Sequence, residues 1–270
     1  MTTETCRVAA VQMVSGPDVQ ANLRSAETLI AEAVDGGAQL IALPEYFPLI
    51  STDDTAKVVA REAEGQGPIQ DFLSAQAARH GVWLIGGTLP LQAQSAGKVR
   101  NATLVFGPDG RRMARYDKIH LFSFCRGEER YDESVTIEAG HEVVCFDGPC
   151  GRVGLSVCYD LRFPELFRRM GEVNLIVLPA AFTWTTGRAH WEVLLRARAI
   201  ENQCYVLAPA QGGRHAGGRM TWGHSLICDP WGEVLDCLDE GPGVVCADID
   251  PVRIAAIRES LPALRHRCLD

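Results

Sequence analysis

Short apolar segments alternate with helical patterns along the first half of the chain, and this alternation limits the folds that the chain can adopt. Residues 7–13 and 39–43 are apolar enough for buried strands, and between them Asp18 opens a helical pattern that stops at Gly36. Alternating strands and helices form parallel sheets, whereas the turn at residues 108–110 joins two strands as a hairpin. The sequence therefore predicts an α/β fold with mixed sheets, in which two sheets pack face to face with helices outside.

The other predicted elements follow the same rules of periodicity and turn residues. Helices are expected from Gly67 to Gly81, from near Phe163, and over residues 190–202 and 251–259. Strands are expected over residues 82–89, 99–106, 111–116, 152–157, 175–178, 204–208, 225–228, 234–237 and 244–249. No linker, low-complexity tract or repeat separates these elements, so residues 1–270 are expected to form one domain.

The charge balance excludes some classes of function. The 270 residues include 26 Lys and Arg against 34 Asp and Glu, which gives a formal net charge of −8, and the basic residues are dispersed. Nucleic-acid binding needs clustered positive charge, so no nucleic-acid partner is expected. The longest apolar segment, residues 175–182, is far shorter than a bilayer-spanning helix of about 20 residues, and the first residues do not resemble an export signal. We therefore expect a cytoplasmic protein with no membrane partner.

The chain contains ten cysteines but no C-x-x-C pair. In a long chain without an export signal, thiols are expected to stay reduced. Because ligand pairs at zinc spacing are missing, neither a metal nor a cofactor is expected. Most of the cysteines lie in apolar segments, where they would pack as small hydrophobic residues.

One cysteine has a different context. Cys158 follows Gly-Leu-Ser-Val, at the junction between the predicted strand 152–157 and the helix that begins near Phe163. Such a junction places a side chain at the rim of a sheet, where a helix N-terminus can lower the pKa of a thiol. An inert core cysteine is the alternative, but the polar residues Asp160 and Arg162 directly after it favour a functional role.

Two ionisable residues also stand at the ends of apolar strands. Glu45 follows Ile-Ala-Leu-Pro at the carboxyl end of a predicted strand, where open α/β sheets usually build their sites. Lys118 ends another predicted strand, and each of the two could equally be a solvated surface residue. A thiol, a carboxylate and an ammonium are the groups that acyl transfer from an amide needs. No spacing rule, however, links positions 45, 118 and 158.

Three segments resemble the signature motifs of the nitrilase, or carbon-nitrogen hydrolase, superfamily. They are Leu-Pro-Glu-Tyr at 43–46, Tyr-Asp-Lys-Ile-His-Leu at 116–121 and Gly-Leu-Ser-Val-Cys-Tyr-Asp-Leu-Arg-Phe-Pro-Glu-Leu at 154–166. They occur in the family's order and at its approximate spacing. Further similar segments extend the resemblance over nearly the whole chain, at residues 189–205, 223–225 and 229–232.

The resemblance implies a four-layer α-β-β-α sandwich whose helical face pairs with a second copy to form a homodimer. It also implies roles for the matching residues. Cys158 would be the nucleophile and Glu45 the general base. Lys118 would stabilise the oxyanion together with the backbone N–H of Tyr159.

A second glutamate in the family orients the lysine and the substrate, on a loop that follows the lysine. Its best match is Glu133, within Tyr-Asp-Glu-Ser at residues 131–134. Glu128 and Glu129 lie close by in the sequence, so they remain alternatives.

The residue after the nucleophile indicates the reaction. Nitrile-cleaving members usually have Trp there, whereas this chain has Tyr159, so a small-molecule amide is the expected substrate. Residues 158–166, 190–201 and 211–215 are most similar to the branch that hydrolyses deaminated glutathione. The alternative is the neighbouring branch of ω-amidases, which act on 2-oxoglutaramate.

Either substrate carries carboxylates, and an arginine fork binds a carboxylate through two parallel hydrogen bonds. Arg188, Arg214 and Arg126 are therefore candidates for substrate binding, although each could also be a surface charge. The other residues expected to face the substrate are Tyr159, Phe182 and Thr183.

Two other classes of function remain open. The chain could be a catalytically silent relative that acts as a binding protein, although Glu45, Lys118 and Cys158 are all present. It could also be a papain-like Cys/His hydrolase or a zinc protein that uses one of its histidines, for which the candidates are His120, His190, His215 and His224. No His-x-x-x-His pair or cysteine-rich cluster supports zinc.

Overall fold

The computed structural model describes residues 4–127 and 129–269. The α-helices of this part of the chain are α1 (Val19–Asp35), α2 (Ala56–Val59), α3 (Pro68–His80), α4 (Pro164–Arg169), α5 (Trp184–Asn202) and α6 (Pro251–Ser260). The strands are β1 (Cys6–Gln12), β2 (Leu40–Ala42), β3 (Trp83–Ile85), β4 (Leu89–Gln92), β5 (Val99–Phe106), β6 (Arg112–Asp117), β7 (Ser123–Arg126), β8 (Glu129–Asp132), β9 (Cys145–Gly148), β10 (Gly151–Leu155), β11 (Leu175–Val177), β12 (Tyr205–Ala208), β13 (Gly212–Arg214), β14 (Met220–Trp222), β15 (Leu226–Cys228), β16 (Val234–Cys237) and β17 (Gly243–Ile249).

Two large sheets contain most of these strands, and both are mixed. The first has the order β17-β1-β2-β3-β5-β4, with β6 paired to β5. Its strands β1, β2 and β3 are parallel, whereas β17 and the hairpin strands are antiparallel to their neighbours. The second sheet has the order β16-β15-β12-β11-β10-β9, with β10, β11 and β12 parallel. The predicted mixture of parallel strands and hairpins is confirmed.

The two sheets pack against each other, and helices cover their outer faces. Apolar residues of β1 and β2 share one core cluster with residues of β10, β11 and β12. The helix α5 adds Trp191 and Leu195 to this cluster, while α1 and α3 pack on the other side of the first sheet. Burial of such side chains stabilises the fold by about 1.5 to 3 kcal/mol for each Leu or Ile. The layers are therefore α-β-β-α, as predicted.

The helices begin and end where side chains or turns satisfy the backbone N–H and C=O groups that have no partner within the helix. The carboxylate of Asp18 accepts a hydrogen bond from the backbone N–H of Ala21 at the start of α1, and α3 ends at Gly81, which has a φ of 64°. Both boundaries match the prediction. The helix predicted at residues 190–202 instead begins at Trp184, because the hydroxyl of Thr183 caps its first turn.

The prediction of one strand over residues 82–89 is wrong, because this segment belongs to two strands that are separated by Gly86 and Gly87. Gly87 has a φ of 53°, which L-residues rarely adopt, and a Cβ there would overlap the carbonyl oxygen of Pro44. The hydroxyl of Thr103 donates to the Gly87 carbonyl at 2.7 Å. The backbone of residue 87 thus lies directly against the peptide that precedes Glu45.

All ten cysteines of the chain carry free thiols. Within residues 4–127 and 129–269, no helix combines the length and apolar character needed to cross a bilayer.

Replacing Gly87 with Ala tests whether the close approach to Pro44 matters. We expect the free energy of unfolding to fall by about 2 to 4 kcal/mol, because the added methyl group meets backbone atoms that cannot move aside. The matched control is Gly97→Ala, because Gly97 has a φ of 76° but open space around a Cβ. That control should cost only about 1 kcal/mol, from the positive φ alone. Denaturant unfolding of both variants measures the difference, and equal losses would contradict the steric argument.

Candidate active site

Cys158 occupies a sharp turn at the end of a strand in the second sheet. Strand β10 ends at Leu155, and a 3-10 helix begins at Cys158 itself. The φ of Cys158 is 49°, an unusual value for a non-glycine residue, and its backbone N–H donates to the carbonyl of Pro179 at 2.9 Å. Strained backbone of this kind is common where a turn presents a reactive side chain. The turn places the thiol at the rim of the sheet, as predicted.

A buried carboxylate holds this turn in place. The side chain of Asp160 is fully buried and accepts hydrogen bonds from the backbone N–H of Val157 at 2.8 Å and the hydroxyl of Tyr116 at 2.6 Å. Its other oxygen accepts the backbone N–H of His120 at 3.1 Å and contacts the Nδ1 atom of the same ring at 2.7 Å. Because Tyr116 and His120 flank Lys118 in the sequence, Asp160 ties the nucleophile turn to the segment that carries the lysine.

Glu45 lies just beyond β2 and is buried. Its Oε1 atom accepts hydrogen bonds from the side-chain amide of Asn101 at 2.9 Å and from the Lys118 ammonium at 2.9 Å. Its Oε2 atom accepts the backbone N–H of Ala181 at 2.9 Å, and the carboxylate is also hydrogen-bonded to the thiol of Cys158. The carboxylate is therefore fixed in orientation, with one oxygen next to the sulfur.

Lys118 is a buried ammonium between two carboxylates. Its Nζ atom donates to Glu45 and to both carboxylate oxygens of Glu133, at 2.9 and 2.8 Å. Glu133 also accepts the hydroxyl of Tyr46 at 2.7 Å and the backbone N–H of Phe122 at 2.7 Å. Burial alone would lower the pKa of Lys118, but the charges of Glu133 and Glu45 outweigh it and raise that pKa. Burial likewise opposes ionisation of Glu133, but Lys118 holds its pKa below the usual value.

The resting state of the thiol differs from the expectation. Burial and the nearby charge of Glu45 raise the pKa of Cys158 well above its ordinary value, and the ammonium of Lys118 only partly opposes them. The predicted lowering by a helix N-terminus is wrong, because the helix that begins at Cys158 is a short 3-10 helix of five residues, with a correspondingly small dipole. Cys158 is therefore a neutral thiol beside a carboxylate.

A narrow crevice opens at the sulfur. Its lining includes Tyr159, Phe182 and Thr183, which the sequence places at the substrate. The hydroxyl of Thr183 caps α5 and contacts the hydroxyl of Thr186 at 2.9 Å, so the Thr183 hydroxyl already has hydrogen-bond partners within the protein. The remaining lining residues are Phe122, Arg162, Ala181 and Thr186.

The arginines proposed from the sequence lie elsewhere. Arg188 is exposed in a groove beside α5, together with Trp222 and His224. Arg214 is exposed in β13, and Arg126 is exposed in β7. The described lining of the crevice at Cys158 includes none of these side chains, so the geometry does not support their role in substrate binding.

The histidines contact groups other than the thiol. His120 pairs with Asp160, and the Nδ1 atom of His190 lies 3.2 Å from a guanidinium nitrogen of Arg162. The ring of His215 contacts Ser15 and Thr221, and the ring of His224 stacks on Trp222. The contacts found for these four rings do not support a Cys/His pair at Cys158.

Several residues of the site were not identified from the sequence. Asn101 is a buried polar residue within the apolar strand β5, and that contrast is a signal that could have identified it. Tyr46 directly follows Glu45, but nothing in the pattern links its hydroxyl to Glu133. Glu128 lies outside the described residues, and the side chain of Glu129 is likewise not described, so the geometry speaks only for Glu133.

Comparison with known proteins places this arrangement in a family. The model of the carbon-nitrogen hydrolase family matches residues 7–259. The chain is 43% identical to the deaminated glutathione amidase of Synechocystis over 96% of this chain and 97% of that one. It is 40% identical to the omega-amidase NIT2 of Xenopus tropicalis over 97% and 94% of the two chains. The structure of Saccharomyces cerevisiae Nit3, a member of branch 10 of the nitrilase superfamily, aligns with a TM-score of 0.88 at 30% identity, over 98% of this chain and 97% of that one. The chain therefore belongs to the carbon-nitrogen hydrolase family, within the nitrilase superfamily.

Proposed function

We propose that this carbon-nitrogen hydrolase cleaves the amide bond of a small carboxylate-bearing substrate through a thioester on Cys158. The observation that carries the proposal is the convergence of three groups, since the Glu45 carboxylate is hydrogen-bonded to both the Cys158 thiol and the Lys118 ammonium. Acyl transfer needs a nucleophile, a proton carrier and a cation at the oxyanion, and these side chains provide all three.

The first step transfers the thiol proton to Glu45. Because its pKa is raised, Cys158 keeps its proton until the carboxylate accepts it as the sulfur attacks the carbonyl carbon. The resulting oxyanion is stabilised by the Lys118 ammonium and the backbone N–H of Tyr159. That N–H lies in the first turn of a helix, where no intrahelical acceptor is available. Each such donor typically contributes about 3 kcal/mol.

Lys118 has enough donors for this role. An ammonium has three N–H groups, and the two Glu133 oxygens belong to one carboxylate that can share a single N–H. Glu45 takes a second N–H, which leaves the third for the oxyanion. Glu133 acts as a positioning residue, because it holds the ammonium in place and keeps it charged.

The second half of the reaction reuses Glu45. The protonated carboxyl gives its proton to the leaving nitrogen, the C–N bond breaks, and the acyl group stays on the sulfur as a thioester. Water then attacks the thioester while Glu45 accepts a proton from it, the C–S bond breaks, Glu45 returns that proton to the sulfur, and the acid product leaves. The intact set of Glu45, Lys118 and Cys158 argues against a catalytically silent binding protein.

For the substrate we propose deaminated glutathione, with 2-oxoglutaramate as the alternative. Relatives with both names align with nearly the full length of the chain, and Tyr159 stands where nitrile-cleaving members have Trp. Hydrolysis of the first gives 2-oxoglutarate and cysteinylglycine, and hydrolysis of the second gives 2-oxoglutarate and ammonia. The values of kcat/KM for the two compounds separate the alternatives, and the value for deaminated glutathione should be the larger.

We also propose that the enzyme is a cytoplasmic homodimer. Free thiols suit a reducing compartment. Val193 and Ile200, one face of α5, are 61% and 49% exposed, and they border a groove of about 520 Å³. Large apolar side chains that line an exposed helix face are typical of a protein–protein contact.

Replacing both Val193 and Ile200 with Glu should convert the dimer to a monomer, because four buried charges would face one another across the interface. Light scattering coupled to size-exclusion chromatography measures the mass. Met113→Glu, at an exposed apolar residue of β6, is the control and should leave the mass unchanged. A wild-type chain that is already a monomer would refute the dimer.

Cys158→Ala should leave a folded protein whose kcat is lower by about 10⁴-fold or more. The control is Cys268→Ala, at an exposed thiol, which should keep full activity. Mass spectrometry of the wild-type enzyme quenched during turnover should find the acyl group on the peptide that contains Cys158. Retained hydrolysis in Cys158→Ala would rule out the thioester mechanism.

The pH dependence of alkylation tests the neutral thiol. Carbamidomethylation of Cys158 should accelerate up to and beyond pH 9, because burial and the Glu45 charge raise the pKa of that thiol. In Glu45→Gln the negative charge is gone, so the profile should shift to lower pH while turnover is lost. Peptide mass spectrometry measures the rate at Cys158 alone. A wild-type plateau reached near pH 7 would mean that the resting enzyme holds a thiolate.

A further inference from the structure

A second cavity adjoins the crevice at Cys158. It has a volume of about 290 Å³ and lies between the segment that follows Glu45, the hairpin that leads to Glu133, and the loop that carries Arg219. Phe122 lines both the cavity and the crevice, while Tyr46 and Glu133 line the cavity and belong to the hydrogen-bond network of Lys118. The shared ring of Phe122 and the shared network of Lys118 therefore place this cavity next to the thiol.

Two cations in this cavity have no ion-pair partner among the side chains that the structure describes. The Nζ atom of Lys57 donates to the hydroxyl of Thr136 at 3.2 Å. The guanidinium of Arg219 lies 5.6 Å from the ring centre of Tyr131, and its Nε atom is buried without a hydrogen-bond partner. The ion pairs found among the described side chains, which do not include that of Glu129, involve neither Lys57 nor Arg219. A buried donor without a partner is costly, which marks the Nε atom of Arg219 as prepared for a ligand.

The carboxylates around the cavity do not neutralise these cations. Asp53 and Asp132 each accept hydrogen bonds from their own turns, and Glu133 is bound by Lys118. Asp54, which is exposed, and Glu133 act on Lys57 only through their charges, and these do not outweigh its burial. Burial lowers the pKa of Lys57, and an anion bound beside it would restore the charged form.

The loop that carries Arg219 is anchored on both sides. The buried ring of His215 contacts the carbonyl oxygen of Ser15 at 2.8 Å and the hydroxyl of Thr221 at 2.7 Å. Gly217 has a φ of 79°, and a Cβ there would overlap the side chain of Thr52 across the cavity wall. A loop held in this way loses little backbone freedom when a ligand binds the guanidinium.

We propose that Lys57 and Arg219 bind a carboxylate of the substrate and thereby select carboxylate-bearing amides over neutral ones. This inference rests on the proposed amidase function of Cys158. It assigns substrate recognition to cations on either side of the cavity, rather than to Arg188, Arg214 or Arg126. Loss of one charge-assisted hydrogen bond weakens binding by about ten- to a hundredfold.

The test compares two amides that differ only at the end remote from the scissile bond. Succinamate carries a carboxylate, and butyramide has a methyl group in its place. Lys57→Met and Arg219→Gln should each lower kcat/KM for succinamate by about ten- to a hundredfold and change that for butyramide by less than about twofold. Arg24→Gln, at an exposed arginine of α1, should change neither value.

The outcomes separate this proposal from the proposed function. A wild-type enzyme that cleaves neither amide speaks against the amidase assignment. A wild-type enzyme that cleaves succinamate, with equal losses on both amides in the variants or no loss at all, overturns the role of the two cations. A selective loss in Arg188→Gln instead would move the carboxylate site to the groove beside α5.

A binding measurement in a variant without the thiol tests the two cations even if the enzyme cleaves neither amide. In the Cys158→Ala background, calorimetric titration with succinate should give a Kd about ten- to a hundredfold weaker when Lys57→Met is added. Arg219→Lys, which keeps the charge, should retain more affinity than Arg219→Gln and guards against misfolding of the latter. Unchanged succinate affinity in the double variants overturns the proposal.

Discussion

The site depends on three charges that are buried together. Glu45, Lys118 and Glu133 would each cost several kcal/mol to bury alone, and the ammonium between two carboxylates makes their burial possible. The cluster has a formal charge of −1, which disfavours a fourth charge on the nearby sulfur. The thiol therefore stays neutral at rest. The same electrostatics that stabilise the cluster thus disfavour a resting thiolate, which is why the proposed mechanism gives the thiol proton to Glu45.

This cluster lies across the contact between the two sheets. Glu45, Asn101 and Lys118 follow or belong to strands of the first sheet, whereas Cys158 follows a strand of the second. Hydrogen bonds cross the contact, from the backbone N–H of Ala181 to Glu45 and from Tyr116 to Asp160. The apolar core between the sheets therefore sets the distance between Glu45 and Cys158. The backbone at Gly87 lies against the carbonyl group of Pro44, and this contact also fixes the position of Glu45.

Much of the fold could be predicted from the sequence, because periodicity and capping residues act locally. Asp18, Gly36 and Gly81 mark their helix ends as expected. The break at Gly87 could not be predicted, since its cause is a contact with Pro44 that is distant in the chain. At the site, motifs identified Glu45, Lys118 and Cys158. Residues that complete it through long-range hydrogen bonds, such as Asn101, have no local pattern that relates them to the motif residues.

The same limit explains why the arginines chosen from the sequence lie away from the crevice. Charge alone does not distinguish a solvated arginine from one turned into a cavity, and Arg188 belongs to the helix face beside the groove. The property that singles out Arg219 is its unpaired, buried Nε atom, in a loop whose His215 ring contacts Ser15. In the functions proposed, the reaction chemistry lies in contiguous motifs, while recognition depends on loops brought together by the fold. Relatives that share the motif residues can therefore differ in substrate through changes in these loops alone.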